Sequence, residues 1–311
     1  MKKAAIINFK GGVGKTTLSF HLACFLSKSA RVLVDHQSSL SVVMLQHLWD
    51  AQIKKNNTVN RIFESFCNRK VPMPGKEIII KNAIHQRSPR YDFYPKLDFV
   101  SAQFELDDTE IDLASTNIGN ATLSDWDKRT LLATWLDSID AVKQYDYVLF
   151  DCPPATKIVS QNALSCSDCF IIPVIPDELS SRGVTHFANL VKTKIDDKLD
   201  YLRTSARVTK EQTPSNYVRE TKMAGIVPFI VKQAGRAASG LTNIHTETLA
   251  DLRSQWKKAV IKTVGKNYIG VPESVNAGWP VWNYAGQNAT GAVQKMMSDI
   301  CEELKTRIDS A

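Results

Sequence analysis

Five apolar runs lacking polar alternation set the rhythm of the 311-residue chain: residues 4–9, Val32–Asp35, Tyr147–Asp151, residues 170–174 and residues 225–231. Strands buried on both faces of a parallel sheet read this way, because neither face meets water. Segments with helical spacing lie between the runs. Residues 16–28 place Leu18, Leu22, Phe25 and Leu26 on one face, and residues 292–308 do the same with Val293, Met296, Met297, Ile300 and Leu304. The alternation predicts an α/β fold, a doubly wound and mostly parallel sheet with helices on both faces. Two stretches break the rhythm: residues 51–97, with Pro72, Pro74, Pro89 and Pro95, and the charged residues 192–222. Both read as insertions. With no internal repeat, low-complexity tract or Gly/Ser linker, residues 1–311 are expected to form a single domain.

Composition narrows the class. Hydrophobic residues at 43% and charged residues at 23% exclude a disordered chain, a collagen-like repeat and a coiled-coil rod. Thirty-nine Lys+Arg against 32 Asp+Glu leave a charge of +7, which suits a polyanionic partner and equally an ordinary solvated surface. No apolar run approaches the ~18 residues of a membrane span, and the start Met1-Lys2-Lys3 is followed by too few apolar residues for a secretory segment. A cytoplasmic protein is expected, with no membrane partner. The outer face of residues 292–308 mixes Lys295, Asp299, Glu302 and Glu303, unlike a basic membrane-surface helix. Six scattered cysteines fit a reducing compartment.

The chemistry centres on Lys10-Gly11-Gly12-Val13-Gly14-Lys15-Thr16-Thr17, between the first strand and the first helix. Glycines let a backbone curl so that several N–H groups meet one anion, and the helix N-terminus adds partial positive charge. Lys15 is expected to reach the β and γ phosphates, and the Thr16 hydroxyl to take a position on Mg²⁺. The strict phosphate-loop pattern asks for Gly where Phe9 stands, but the strand before and the helix after supply the required context. Lys10 is a second lysine, one that binding a nucleotide within one subunit does not require. On these residues the chain resembles the ParA/Soj/MinD family of deviant Walker A P-loop ATPases, closest to the ParA/Soj type, whose K-G-G-x-G-K-T-T motif stands intact at residues 10–17. The resemblance continues through residues 145–154, through 162–164 into 171–174, and through Val271-Pro272-Glu273-Ser274 to residues 278–281.

That resemblance implies ATP and Mg²⁺ as cofactors and an ATP-dependent homodimer in which Lys10 crosses to the partner's phosphates. It implies a nucleotide site of residues 10–17 with Pro272, and Asp151 as the Walker B carboxylate holding Mg²⁺ through water. Family members usually carry two acidic residues in D-x-D-P-Q where this chain keeps one, Asp35, followed by His36 and Gln37. The residues after it favour a match to the second family carboxylate, the one implicated in hydrolysis; a match to the first leaves hydrolysis very slow. Lys10, Lys15, Asp35 and Asp151 are thus the candidate catalytic residues, with Asp35 a further water-mediated Mg²⁺ contact. Arg236 falls where Soj-like proteins use an arginine on DNA, and Lys257, Lys258, Lys262 and Lys266 are spaced to put three along one helix face, either a DNA patch or a solvated surface. Cys166 and Cys169 form a lone C-x-x-C without a second pair, which reads as ordinary buried cysteine rather than a metal site. The first strand lies one step from Met1, which argues against an operator-reading extension. The implied protein binds DNA without sequence preference in its ATP state, associates with the nucleoid, answers to a ParB-like or other cargo adaptor and moves a plasmid, chromosome region or other cargo. A scaffold with little turnover, a MinD-like positioning ATPase and a cluster or metal carrier resting on the lone C-x-x-C are the rivals.

Overall fold

The apolar runs pair into one seven-stranded sheet whose order gathers the chemistry at one edge. The computed structural model describes every residue except 36–37, 88–92, 155–156 and 234–240, and every side chain of the remainder except those of residues 34, 35, 107 and 178–182. The strands are β1 (Lys2–Ile6), β2 (Val32–Asp35), β3 (Ile79–Ile80), β4 (Leu97–Val100), β5 (Tyr147–Asp151), β6 (Cys169–Val174) and β7 (Lys222–Pro228), in the spatial order β3-β4-β2-β5-β1-β6-β7. Neighbours are parallel except β3 and β4, which run antiparallel.

Side chains alternate between two cores, as the period of two along a strand requires. Ala5, Ile7, Val148 and Phe150 face one, while Ala4, Ile6 and Leu149 face the other. The helices Asn60–Cys67, Leu131–Ser138 and Ile158–Ser165 cover the first core; the helices Lys15–Leu26 and Gly291–Ser310 cover the second. The final helix buries the five residues expected of it and adds Cys301 and Ile308. Burying side chains such as Met297, Ile300 and Leu304 is worth about 1.5–3 kcal/mol each, which anchors that helix to the sheet.

Both stretches taken as insertions are built into the fold. Ile62, Phe63 and Phe66 of Asn60–Cys67 lie in the first core, and β3 and β4 extend the sheet. The run Leu97–Val100 hides in the sequence because Asp98 interrupts it. In the structure that buried carboxylate accepts hydrogen bonds from Lys81 Nζ (2.7 Å), the Tyr145 hydroxyl (2.8 Å) and the Asn82 N–H (3.0 Å). Residues 192–222 carry the crossover from β6 to β7: the helix Glu178–Leu190 passes through the π-helical turn Val191–Asp196 into the helix Asp197–Ser205. Strand ends also differ. The run 225–231 leaves the strand after Pro228, so Phe229 and Ile230 lie outside β7. Among the described residues no helix is long and apolar enough to cross a membrane.

Candidate nucleotide site

Parallel strands in register deliver their carboxyl ends to one edge of the sheet, where open α/β sheets bind ligands. Ile6 of β1 stands opposite Asp151 of β5 and Ile171 of β6, and Asp35 of β2 stands opposite Phe150. The loop that leaves β1 is fixed at its start by Asn8, whose Nδ2 donates to the Pro173 carbonyl (2.7 Å) and whose Oδ1 accepts from the Lys10 N–H (3.0 Å). Gly12 and Gly14 have φ of 72° and 86°, a left-handed region that side chains disfavour. The loop encloses open space: an added Cβ at Gly11 or Gly12 would meet no atom within 4 Å. Those residues fit a phosphate group. The helix Lys15–Leu26 starts at its edge, with Gly14 as N-cap and no side-chain cap to satisfy its first N–H groups.

Lys15 is 6% exposed and donates from Nζ to the Lys10 carbonyl (2.9 Å), so the ammonium faces into the loop it belongs to. Burial lowers its pKa, opposed by the Asp151 carboxylate. Asp151 is fully buried at the end of β5 and accepts two hydroxyl protons, from Thr16 Oγ1 on Oδ2 and from Ser19 Oγ on Oδ1, both at 2.8 Å. Desolvation raises its pKa to about 6 against the pull of those hydroxyls and Lys15. A hydroxyl and a carboxylate brought together beside a phosphate loop form an oxygen donor set suited to Mg²⁺. Ser19 went unnoticed in the sequence, although its place one turn beyond Lys15 on the same helix was a usable signal.

Lys10 has a partner within its own subunit, contrary to the expectation of no duty there: its Nζ lies 2.9 and 3.1 Å from the two Asp177 oxygens. Asp177 follows β6, so the contact spans 167 residues and nothing in the sequence marks it. Asp35 ends β2 one register step from Asp151, but its side chain, like Arg236 and His36, lies outside the described residues.

Thr17, Phe229, Ile230, Lys266, Asn267, Tyr268, Val271 and Pro272 line a small cavity beside the loop. Pro272, implied as a nucleotide contact by the resemblance, shares this cavity with Phe229, Ile230, Asn267 and Tyr268. A Cβ at Gly14 or at Gly265 would overlap the Phe229 ring, so that ring is wedged between phosphate loop and cavity wall. Ile230, a β-branched residue with φ of 55°, holds a strained conformation at the same wall.

The four lysines do not share a helix face. The helix Asn243–Trp256 ends where Lys257 takes φ of 45°, and Lys257–Ala259 form a 3-10 turn before Val260 bridges to Ile226 of β7. Lys257, Lys258 and Lys262 instead line an open concavity with Arg253 and Arg307, while Lys266 belongs to the cavity beside Pro272. Cys166 and Cys169 are both buried and face opposite cores.

His21, behind the loop, is buried and neutral. Its Nδ1–H donates to the Thr17 carbonyl (2.8 Å) and its Nε2 accepts from the Val281 N–H (3.1 Å), and burial lowers its pKa to about 4. The folded pKa lies below the unfolded value of about 6.5, so its stabilisation is complete above about pH 6.5 and is lost as pH falls toward 4, up to about 3 kcal/mol. Asp151, with its raised pKa, acts in the opposite sense over an overlapping range, so wild-type stability alone does not separate them. The stability difference between wild type and His21→Gln is expected to shrink by about 3 kcal/mol between pH 7 and pH 4; urea titrations at both pH values measure it, and a constant difference would contradict the neutral, doubly bonded imidazole.

The family model described as AAA domain matches residues 1–203. The chromosome partitioning protein ParA of Myxococcus xanthus is 26% identical over 286 residues, covering 90% of this chain and 80% of that protein. The sporulation initiation inhibitor protein Soj of Bacillus subtilis is 30% identical over 196 residues, covering 61% and 65%. Among solved structures, a Cyanothece McdA variant in complex with ATP superposes with a TM-score of 0.63 at 17% identity, covering 98% of this chain and 96% of that one. A plasmid partition protein from Borrelia burgdorferi gives 0.54 at 18%, covering 98% and 99%. With its intact lysine-bearing loop, its Thr16–Asp151 pair and this match over most of its length, the chain belongs to the AAA domain family and, within it, to the ParA/Soj family of P-loop ATPases.

Proposed function

We propose that the protein is a ParA-like ATPase that binds ATP and Mg²⁺, dimerises around two nucleotides, binds DNA without sequence preference in that state and resets by slow, partner-stimulated hydrolysis. The carrying observation is the division of labour between the two loop lysines: Lys15 Nζ bonds a carbonyl of its own loop, while Lys10 Nζ is held by Asp177 in a partly exposed ion pair that a second subunit's phosphates would displace. Residues 11–17 would hold the phosphates, Thr16 the metal directly and Asp151 the metal through water. Bound there, the ion would supply positive charge that offsets the negative charge of the phosphates. The names of the relatives support partition or positioning of a cargo as the role; a ParB-like or other adaptor is the partner this role would require.

DNA binding rests on the concavity of Arg253, Lys257, Lys258 and Lys262 together with Arg236. A dimer sets two copies side by side, so a patch too weak in one subunit can hold a duplex in two. Affinity for two unrelated duplexes is expected to be equal and to fall steeply with salt, with a log–log slope of about −0.9 per phosphate contact. Lys257→Ala with Lys258→Ala should shallow that slope by about two units and Arg236→Ala by about one. The measurement is a salt titration with a non-hydrolysable ATP analogue and with ADP. Equal affinity in both nucleotide states, or no binding at low salt, rejects the DNA-carrier reading and favours a scaffold.

A further inference from the structure

Glu110 is a buried carboxylate outside the nucleotide site, 5% exposed on the helix Leu106–Ser115. Its Oε1 accepts a hydrogen bond from the Val159 N–H at 3.0 Å, and Lys157 Nζ lies 3.6 Å from its Oε2. Val159 stands in the first turn of the helix Ile158–Ser165, whose N-cap residue, Lys157, makes no side-chain cap. The first N–H groups of a helix have no partner inside it, and a buried one left unmet is costly. Here the acceptor comes from a different element, 49 residues earlier.

What that helix continues gives the contact its meaning. Only residues 152–157 separate it from Asp151, so fixing its start fixes the far end of the Walker B loop. On its other side, Glu110 belongs to the segment leaving β4, the neighbour of β2 and so of Asp35. The Ala102 N–H donates to Ser41 Oγ (2.8 Å) in the helix Ser38–Leu45, and Trp49 Nε1 donates to the Ala102 carbonyl (3.1 Å). Gln103 is tied in turn to Asn60 Oδ1 (3.0 Å). Residues 102–110 therefore join the helix after Asp35 to the helix after Asp151.

Resting on the ATPase reading above, we infer that Glu110 is a positioning residue for hydrolysis: capping the helix Ile158–Ser165 from outside, it ties the start of that helix, which follows Asp151 in the chain, to the helix Ser38–Leu45, which follows Asp35. It acts through that helix and sets the rate of the chemical step rather than the affinity for ATP.

The full-length protein, with Glu110→Ala, Glu110→Gln and Glu110→Asp, is compared in phosphate release, binding of a fluorescent ATP analogue and hydrogen exchange over residues 157–165. Glu110→Ala is expected to lower kcat about tenfold with KM and analogue affinity within about twofold. Glu110→Gln keeps a carbonyl oxygen for Val159 and should restore kcat to within about threefold of wild type. Exchange in the first turn should rise in the alanine variant and not in the glutamine variant. Glu110→Asp retracts the acceptor while keeping the charge; it should also slow turnover, and it serves where alanine prevents folding. Wild-type kcat in the alanine and aspartate variants, equal losses of kcat and ATP affinity, or a glutamine variant as slow as alanine would each overturn the inference. A wild-type protein that releases no phosphate defeats the ATPase reading instead; exchange then decides, and unchanged protection in Glu110→Ala overturns the positioning role.

Discussion

Lys15→Ala should lose ATP binding by a few hundred-fold, whereas Lys10→Ala should bind ATP nearly as wild type and yet remain monomeric. The asymmetry follows from where the two ammonium groups sit. Lys15 is desolvated, and its Nζ lies against the Lys10 carbonyl inside the loop. Charge-assisted hydrogen bonds are worth about 1.5–3 kcal/mol each, so losing two phosphate contacts accounts for an effect of that size. Lys10 is half-exposed and held by Asp177, a pair worth about 0–1 kcal/mol at such a surface. That contact is weak enough for a partner's phosphates to replace it. Asp177→Asn should accordingly favour dimerisation by up to about fivefold in the ATP state. Sedimentation with and without a non-hydrolysable analogue, alongside titration of nucleotide binding, reads all three variants. A Lys10→Ala protein that dimerises like wild type removes the intermolecular role.

Asp35→Ala should cut phosphate release by about 100-fold or more while leaving ATP affinity intact. The motive is position: β2 ends at Asp35 opposite Phe150, one residue before the carboxylate that binds Thr16 and Ser19. One acidic residue remains where relatives of this type usually carry two, so wild-type turnover should already be slower than that of a P-loop ATPase with a dedicated water-orienting side chain. Phosphate release at saturating ATP is the assay. Turnover at the wild-type rate in the variant would assign Asp35 to the first family position and make the protein a switch with little chemistry of its own.

The phosphate half of the site was legible in the sequence because it is local. Loop, Lys15, Thr16 and the helix behind them occupy one short stretch, and Asp151 follows an apolar run that reads as a strand. The residues that went unread are set by long-range pairing. Asp177 meets Lys10 across 167 residues, Glu110 caps a helix on another element, and the lysines after Trp256 part company because a backbone turn at Lys257 ends their helix. β4 escaped because its core position 98 carries a carboxylate whose three donors come from residues 81, 82 and 145. Hydrophobic pattern records burial, and a buried polar group with partners supplied from elsewhere leaves no trace in it.

The Phe229 wedge sets an order on assembly. The phosphate loop and its helix lie within the first 26 residues, whereas the ring that packs against Gly14 and Gly265 arrives more than 200 residues later, after β7. Closing so long a loop is entropically expensive and slow. A chain that has reached only its first helix therefore lacks the ring behind Gly14, and on the proposed function competence to hold a whole nucleotide should come only once β7 has docked.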